Sequence, residues 1–203
     1  MQPYILIADD HSMIRKGLKL YMQLNLGYSQ ISEVGNCNEL MNELVKKKYT
    51  HLVLDIILSD GSTLEVIPNI RRIYPTLNIL IFSMQPGEVY GEALKQYGIN
   101  YYLSKSSGEE ELLRVLQRFL HNELPMEKTN TAPSQDNPFS LLAPRELEIL
   151  HYVLKGIGTK QIADMLNLKM NTVSTIKTRI YDKTNAGNIK ELMELATLYN
   201  LNY

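Results

Sequence analysis

Residues 51–61 read HLVLDIILSDG: an apolar run, one acid at Asp55, a second apolar run, and then a Ser-Asp-Gly turn. A short apolar run bounded by polar and turn residues is the pattern of a strand buried on both faces. Working outward from it, similar runs occur at YILIA (4–8), ISEV (31–34), ILIF (79–82) and YYL (101–103). Between the runs, apolar residues recur at helical spacing: Ile14, Leu18, Tyr21, Met22; Leu40, Met41, Leu44; Leu64, Ile67, Ile70; Tyr90, Ala93, Leu94, Tyr97. After the last run come Leu112, Val115, Leu116 and Phe119. Five strand–helix units with short connections predict an α/β, doubly wound, five-stranded parallel sheet covered on both faces.

The unusual polar residues fall at the ends of these strands. Asp9 and Asp10 follow the first, Asp55 ends the third, Ser83 ends the fourth and Lys105 lies just past the fifth. Ligands of open parallel sheets bind beyond the carboxyl ends of the strands. Three carboxylates converging there repel one another, which raises at least one pKa. A hard divalent cation such as Mg2+ relieves that repulsion and takes oxygen ligands. The Ser83 hydroxyl and the Lys105 ammonium are then suited to hold the oxygens of a phosphoryl group placed on a carboxylate. Taken singly, a strand-end Asp is a turn or cap residue, Ser83 a cap for the next helix, and Lys105 a solvated charge. Their joint placement on one sheet is what argues for a site.

At 203 residues the chain has room for two domains. Residues 122–139 hold three prolines and many small polar residues, with no periodic apolar face, and read as a linker. This gives domains at 1–121 and 140–203. The first carries 12 basic and 13 acidic side chains and the last 8 and 6, so a slight positive balance lies at the C-terminal end. Cys37 is the single cysteine, which excludes an intramolecular disulfide and fits a reducing compartment. The four histidines show no metal-ligand spacing. No apolar stretch is long enough to span a bilayer, and no secretory leader is seen, so a cytoplasmic location is expected.

After residue 139 only helical patterns remain, near 144–154, 159–166, 171–184 and 188–199. Pro144 suits a first turn, and Glu146 and Glu148 lie near its positive end. Gly156 and Gly158 break the chain, and a short helix then carries Ile162, Ala163 and Leu166 inward. The turn NLKM leads to Asn171, expected as a cap, and to a second helix, the pattern of a helix-turn-helix. At 100° per residue, Val173, Ile176 and Ile180 share the inner side of that helix. Asn171, Ser174, Thr175, Thr178 and Asp182 lie opposite, flanked by Lys177 and Arg179. Small polar side chains bordered by cations suit a major groove. The last helix puts Ile189, Leu192, Met193, Ala196 and Tyr199 on one face.

ILIADDH, LVLDIILSDG, LIFSM and YYLSKS together resemble the receiver domain of two-component response regulators, in its flavodoxin-like fold, over residues 4–121. LLAPRELEIL followed by KGIGTKQIADMLNLKMNTVSTIKTRIYDK resembles the LuxR-type domain of NarL/FixJ-family regulators, an all-α four-helix unit. The resemblance implies a phosphorylation-controlled transcriptional regulator rather than an enzyme. It implies that Asp55 takes the phosphoryl group from a phosphohistidine of a sensor histidine kinase. Asp10 and Asp55 would bind Mg2+ directly with the backbone carbonyl of Ile57, and Asp9 through water. Ser83 and Lys105 would contact the phosphate, and Tyr102 would be the switch aromatic. Ser174, Thr175, Lys177, Thr178 and Lys183 fall on the positions that contact double-stranded DNA. The last helix, through Leu192, Ala196 and Tyr199, would pair across a homodimer that sets two recognition helices ~34 Å apart. Four residues depart from the pattern: Ser59 in place of a proline, Met84 in place of a small residue, Ile176 in place of histidine or tyrosine, and Thr184 in place of leucine.

Two other readings differ in class. A phosphatase of the haloacid-dehalogenase kind would need an aspartate two residues after its nucleophile, where this chain has Ile57. A helical output domain that binds a protein partner would bind a heparin column without steep salt dependence, unlike one that binds DNA.

Overall fold

The computed structural model describes residues 3–124 and 137–201. The chain divides into two compact units, Met1–Met84 with Lys95–Glu127, and Gln85–Leu94 with Lys128–Tyr203. Most of the expected linker, residues 125–136, lies outside the described residues. The described part of the second unit resumes at Asn137, and Phe139, expected within the linker, is fully buried.

Five parallel strands form the main sheet. In chain order the elements are β1 (Ile5–Ala8), α1 (Ser12–Leu26), β2 (Ile31–Val34), α2 (Cys37–Lys46), β3 (His51–Leu54), β4 (Ile57–Leu58), β5 (Gly61–Ser62), α3 (Ile67–Ile73), β6 (Asn78–Ser83), α4 (Gly87–Leu94), β7 (Tyr101–Ser104) and α5 (Glu109–Leu120). The strand order is β2-β1-β3-β6-β7, with β4 and β5 forming a separate antiparallel hairpin. This is the doubly wound order in which β1 has its neighbours on opposite sides in β2 and β3, so the crevice opens beyond the carboxyl ends of β1 and β3. Both strands are buried at every residue, as their unbroken apolar runs require. On one face Ile5, Ile7, Val53, Leu80 and Leu103 pack with Leu18 and Met22 of α1 and Leu116, Phe119 and Leu120 of α5. The alternation of strand side chains sends Leu6, Leu52 and Leu54 to the other face.

Two local devices shape the loop after Asp55. Asp60, at the tip of the β4–β5 hairpin, accepts the backbone N–H groups of Cys37 at 2.7 Å and Asn38 at 3.1 Å, and so closes the N-terminus of α2 from a distance in sequence. Asn36 caps the same helix through the N–H of Glu39 at 2.7 Å. Ser59 stands where a proline would have restrained φ, yet the hairpin it belongs to is paired at both Ile57–Ser62 and Leu58–Gly61.

The C-terminal helices are α6 (Pro144–Leu154), α7 (Thr159–Met165), α8 (Met170–Thr184) and α9 (Ile189–Leu198). They coincide with the expected patterns to within one residue. α8 begins one residue earlier than the pattern suggests, with Lys169 at its N-cap and no side-chain cap, so Asn171 sits inside the first turn rather than capping it. The helix ends at Asn185 in the left-handed conformation, φ 52°. Val173, Ile180, Ile162, Ala163 and Leu166 are core residues, as their spacing requires; Ile176 is half-buried. Thr184 is buried too, and its hydroxyl donates to the Ile180 carbonyl at 2.7 Å, so the missing leucine leaves no unpaired polar group. Among the described residues no helix is long and apolar enough to cross a membrane.

Candidate functional site

The crevice gathers the residues singled out in the sequence. The Lys105 ammonium lies 2.5 Å from Asp55 Oδ2 and 2.6 Å from Asp9 Oδ2, and all three side chains are under a tenth exposed. Ser83 donates its hydroxyl to Asp55 Oδ1 at 2.6 Å, which ties it to the strand-end cluster. The N–H of Ile57 approaches the same oxygen at 3.4 Å. Asp9 Oδ1 accepts the backbone N–H of His11 at 2.8 Å, and the Arg15 guanidinium donates to the Asp9 carbonyl. Burial pushes the Asp55 carboxyl up, against the pull of Lys105 and Ser83. Burial also opposes the charge on Lys105, but the hydrogen bonds and charges of Asp55 and Asp9 outweigh it and raise its pKa.

The site is short of positive charge. Against the three carboxylates of Asp9, Asp10 and Asp55 stands one ammonium, that of Lys105, 2.6 Å from Asp9 Oδ2, while the His11 imidazole Nδ1 lies 2.7 Å from Asp10 Oδ1. Ligand atoms of Asp9, Asp10, His11 and Asp55 all lie within 4.8 Å of one another. Oxygen atoms on opposite sides of a hard cation stand about 4.2 Å apart when each is ~2.1 Å from it and about 5 Å apart at ~2.5 Å, so a set spanning up to 4.8 Å is within the reach of one divalent ion. His11, one of the four histidines without metal-ligand spacing in the sequence, joins the cluster here, and its place directly after the acidic pair is the sequence signal for it. Tyr102 is half-buried on β7, and Met84 is 53% exposed.

On α8, Ser174, Thr175 and Thr178 are exposed together. The Thr175 and Thr178 hydroxyls donate to the carbonyls of Asn171 and Ser174, at 2.8 and 3.2 Å. Lys177 donates to the Thr159 hydroxyl at 3.2 Å, across to α7. Lys183 stands apart from this group: it pairs with Glu146 Oε2 at 2.7 Å and donates to the Leu141 carbonyl at 3.0 Å. Glu146 in turn accepts the Ala143 N–H at 2.8 Å, tying the start of α6 to the end of α8. The expected dimer face is split by burial. Leu192 and Ala196 are fully buried core residues with no surface to offer a second chain, Tyr199 is half-buried against Phe139, and Ile189 and Leu198 are the exposed apolar side chains of α9.

The sequence matches the family of response regulator receiver domains over residues 5–117 and the luxR family of bacterial regulatory proteins over residues 140–196. The chain therefore belongs to the response regulators, in the branch that joins a receiver to a LuxR-type helix-turn-helix, a branch of phosphorylation-controlled, DNA-binding transcriptional regulators. It is 29% identical to the oxygen regulatory protein NreC of Staphylococcus haemolyticus, over 95% of each chain. It is likewise 29% identical to the virulence factors putative positive transcription regulator BvgA of Bordetella pertussis, over 97% of this chain and 98% of that one. The fold is shared with RcsB from Salmonella enterica serovar Typhimurium, solved bound to a promoter in the presence of a phosphomimetic. The TM-score is 0.82 at 23% identity, over 96% of this chain and 98% of that one.

Proposed function

We propose that Asp55 is the phosphoacceptor and that its phosphorylation controls promoter binding by α8. The observation that carries this reading is the placement of Asp55 at the switch point of the sheet, with Ser83 on one carboxylate oxygen and Lys105 on the other. A carboxylate oxygen of Asp55 attacks the phosphorus of a phosphohistidine on a sensor histidine kinase. The P–N bond breaks, the electron pair returns to the imidazole, and an acyl phosphate forms on Asp55. Lys105 and Ser83 transfer their hydrogen bonds from the carboxylate to the phosphoryl oxygens, stabilising the charge that passes through the transition state. Asp10, Asp55 and the Ile57 carbonyl would hold Mg2+, with Asp9 assisting, and the ion would supply charge neutralisation for the incoming group. The withdrawal of Ser83 toward the phosphate, with a matching change at Tyr102, biases the receiver between two states.

Ser174, Thr175 and Thr178 read base edges from the exposed face of α8, and Lys177 supports them with a phosphate contact. Lys183 reaches DNA only by leaving Glu146. The protein works as a homodimer on double-stranded DNA in the cytoplasm, with α9 contributing through its exposed Ile189 and Leu198 in addition to Tyr199.

Incubation with acetyl phosphate and Mg2+, read by intact mass, tests the acceptor: one phosphate on the parent and none on Asp55→Asn or after chelation. Equal labelling of Asp55→Asn refutes it. A salt titration on promoter and random DNA tests the output helix. Lys177→Ala weakens both and lowers the salt slope by about 1 per contact, whereas Thr178→Ala costs roughly 1 kcal/mol on promoter DNA alone. Parent-like binding by both variants returns weight to a protein partner.

A further inference from the structure

We propose that Thr63 is a positioning residue for the phosphoacceptor loop, its hydroxyl holding the backbone that carries the Asp55 carboxylate and the Ile57 carbonyl; this rests on the reading of Asp55 as phosphoacceptor. Thr63 is fully buried. Its single hydroxyl hydrogen is shared between the carbonyl of Asp55 at 2.8 Å and that of Ile56 at 3.0 Å. Its own N–H donates to the Ile56 carbonyl at 2.8 Å. On its other side the Thr63 carbonyl accepts the N–H groups of Val66 at 3.1 Å and Ile67 at 3.0 Å, the entry to α3. One residue thus joins the peptide plane after Asp55 to the start of a helix.

The hydroxyl has a specific task because few other bonds restrain the loop at Asp55 and Ile56. Ser59 leaves φ free at the turn, and the hairpin has only two paired positions. The peptide planes on either side of Ile56 are therefore fixed mainly by Thr63 from within, while Asp60 anchors the far tip to α2. Rotation of the Asp55–Ile56 plane would re-aim the carboxylate and shift the Ile57 carbonyl together. Residues that orient metal ligands without touching the ion act in this way.

Thr63→Val keeps the shape and removes the hydroxyl; the pair Thr63→Ala and Thr63→Ser repeats the comparison with smaller side chains. Mg2+ affinity of the full chain is measured by calorimetry at a temperature where each variant is folded, alongside the rate of labelling by acetyl phosphate. Thr63→Val and Thr63→Ala are expected to bind Mg2+ about tenfold more weakly and to label more slowly below saturating Mg2+, whereas Thr63→Ser stays near the parent. Parent-like Mg2+ affinity in folded Thr63→Val overturns the proposal, as does a lower melting temperature with unchanged affinity. Equal loss in Thr63→Ser and Thr63→Ala also overturns it, because the hydroxyl would then be irrelevant. Should Thr63→Val not fold, the Ala and Ser pair decides. Labelling of Asp55→Asn would instead refute the phosphoacceptor reading and leave the Mg2+ comparison standing.

Discussion

Lys105 is held by Asp9 as closely as by Asp55, with its ammonium 2.6 Å from Asp9 Oδ2. The lysine is therefore shared between the proposed phosphoacceptor and a carboxylate of the candidate cation site, and it competes with any cation for both. Replacing Lys105 by Met is expected to act in opposite directions on two readouts. Mg2+ affinity rises severalfold, because a positive charge is removed beside the ion. Labelling of Asp55 by acetyl phosphate slows by about 100-fold, because the phosphoryl oxygens lose a charged donor. Calorimetry and intact mass measure the two effects, and a fall in both sinks the shared-lysine account.

The Lys183–Glu146 pair makes a residue proposed to contact DNA part of the domain's own framework. Lys183→Ala takes the ammonium from Glu146, whose side chain is 8% exposed, and leaves it the Ala143 N–H at the start of α6. We expect about 1–2 kcal/mol lost from the stability of the C-terminal unit as well as weaker DNA binding. Lys177→Ala should weaken DNA binding with no comparable loss of stability. Urea unfolding of both variants distinguishes the roles.

His151 in α6 is buried, with Nδ1 lacking a hydrogen bond, and its pKa is lowered to about 4, chiefly by burial and secondarily by Lys155. The unfolded chain then binds the proton more tightly than the folded one. Its contribution is fully present above the ordinary histidine range near pH 6.5 and is lost as pH falls from there toward 4, by about 3 kcal/mol in all. His51, lowered by burial as well, acts in the same direction. His151→Leu should flatten the fall in stability between pH 6.5 and 4.5 relative to the parent. An unchanged slope in urea unfolding contradicts this.

On α9, burial separates association from folding. Leu198→Asp is expected to weaken self-association with little change in unfolding, since Leu198 is 69% exposed. Leu192→Ala should instead destabilise the domain by about 2–5 kcal/mol. Sedimentation and thermal unfolding read the two; a dimer untouched by Leu198→Asp removes α9's exposed edge from the interface.

The sheet and the helices were legible because their periodicities are strong: unbroken apolar runs for β1 and β3, and i, i+3, i+4 spacing for the helices. The crevice was legible because Asp9, Asp55, Ser83 and Lys105 each follow a strand. What escaped was short or long-range. β4 and β5 are two residues each, too short for a period, and a single threonine at 63 carries no sequence signal of a hydroxyl on the Asp55 backbone carbonyl. The spacing of Leu192 and Ala196 marks an apolar face but not whether the neighbour is the same chain or another. Asn171 has the side chain of a cap, but α8 starts early enough to place it inside the first turn.

The anchoring of Asp60 on α2 also sets the chemistry of the chain's single sulfur. Burial foremost, and then the Asp60 carboxylate, push the Cys37 thiol up to about 12. At neutral pH only about one molecule in 10⁵ then carries the nucleophilic thiolate at this position. Alkylating agents and peroxides would react slowly with Cys37 while the Asp60 carboxylate stays on α2, and losing that charge and hydrogen bond would remove one of the causes that hold the thiol protonated. The cysteine is thus a built-in reporter of loop opening, readable by the rate of thiol modification without any label being added to the protein.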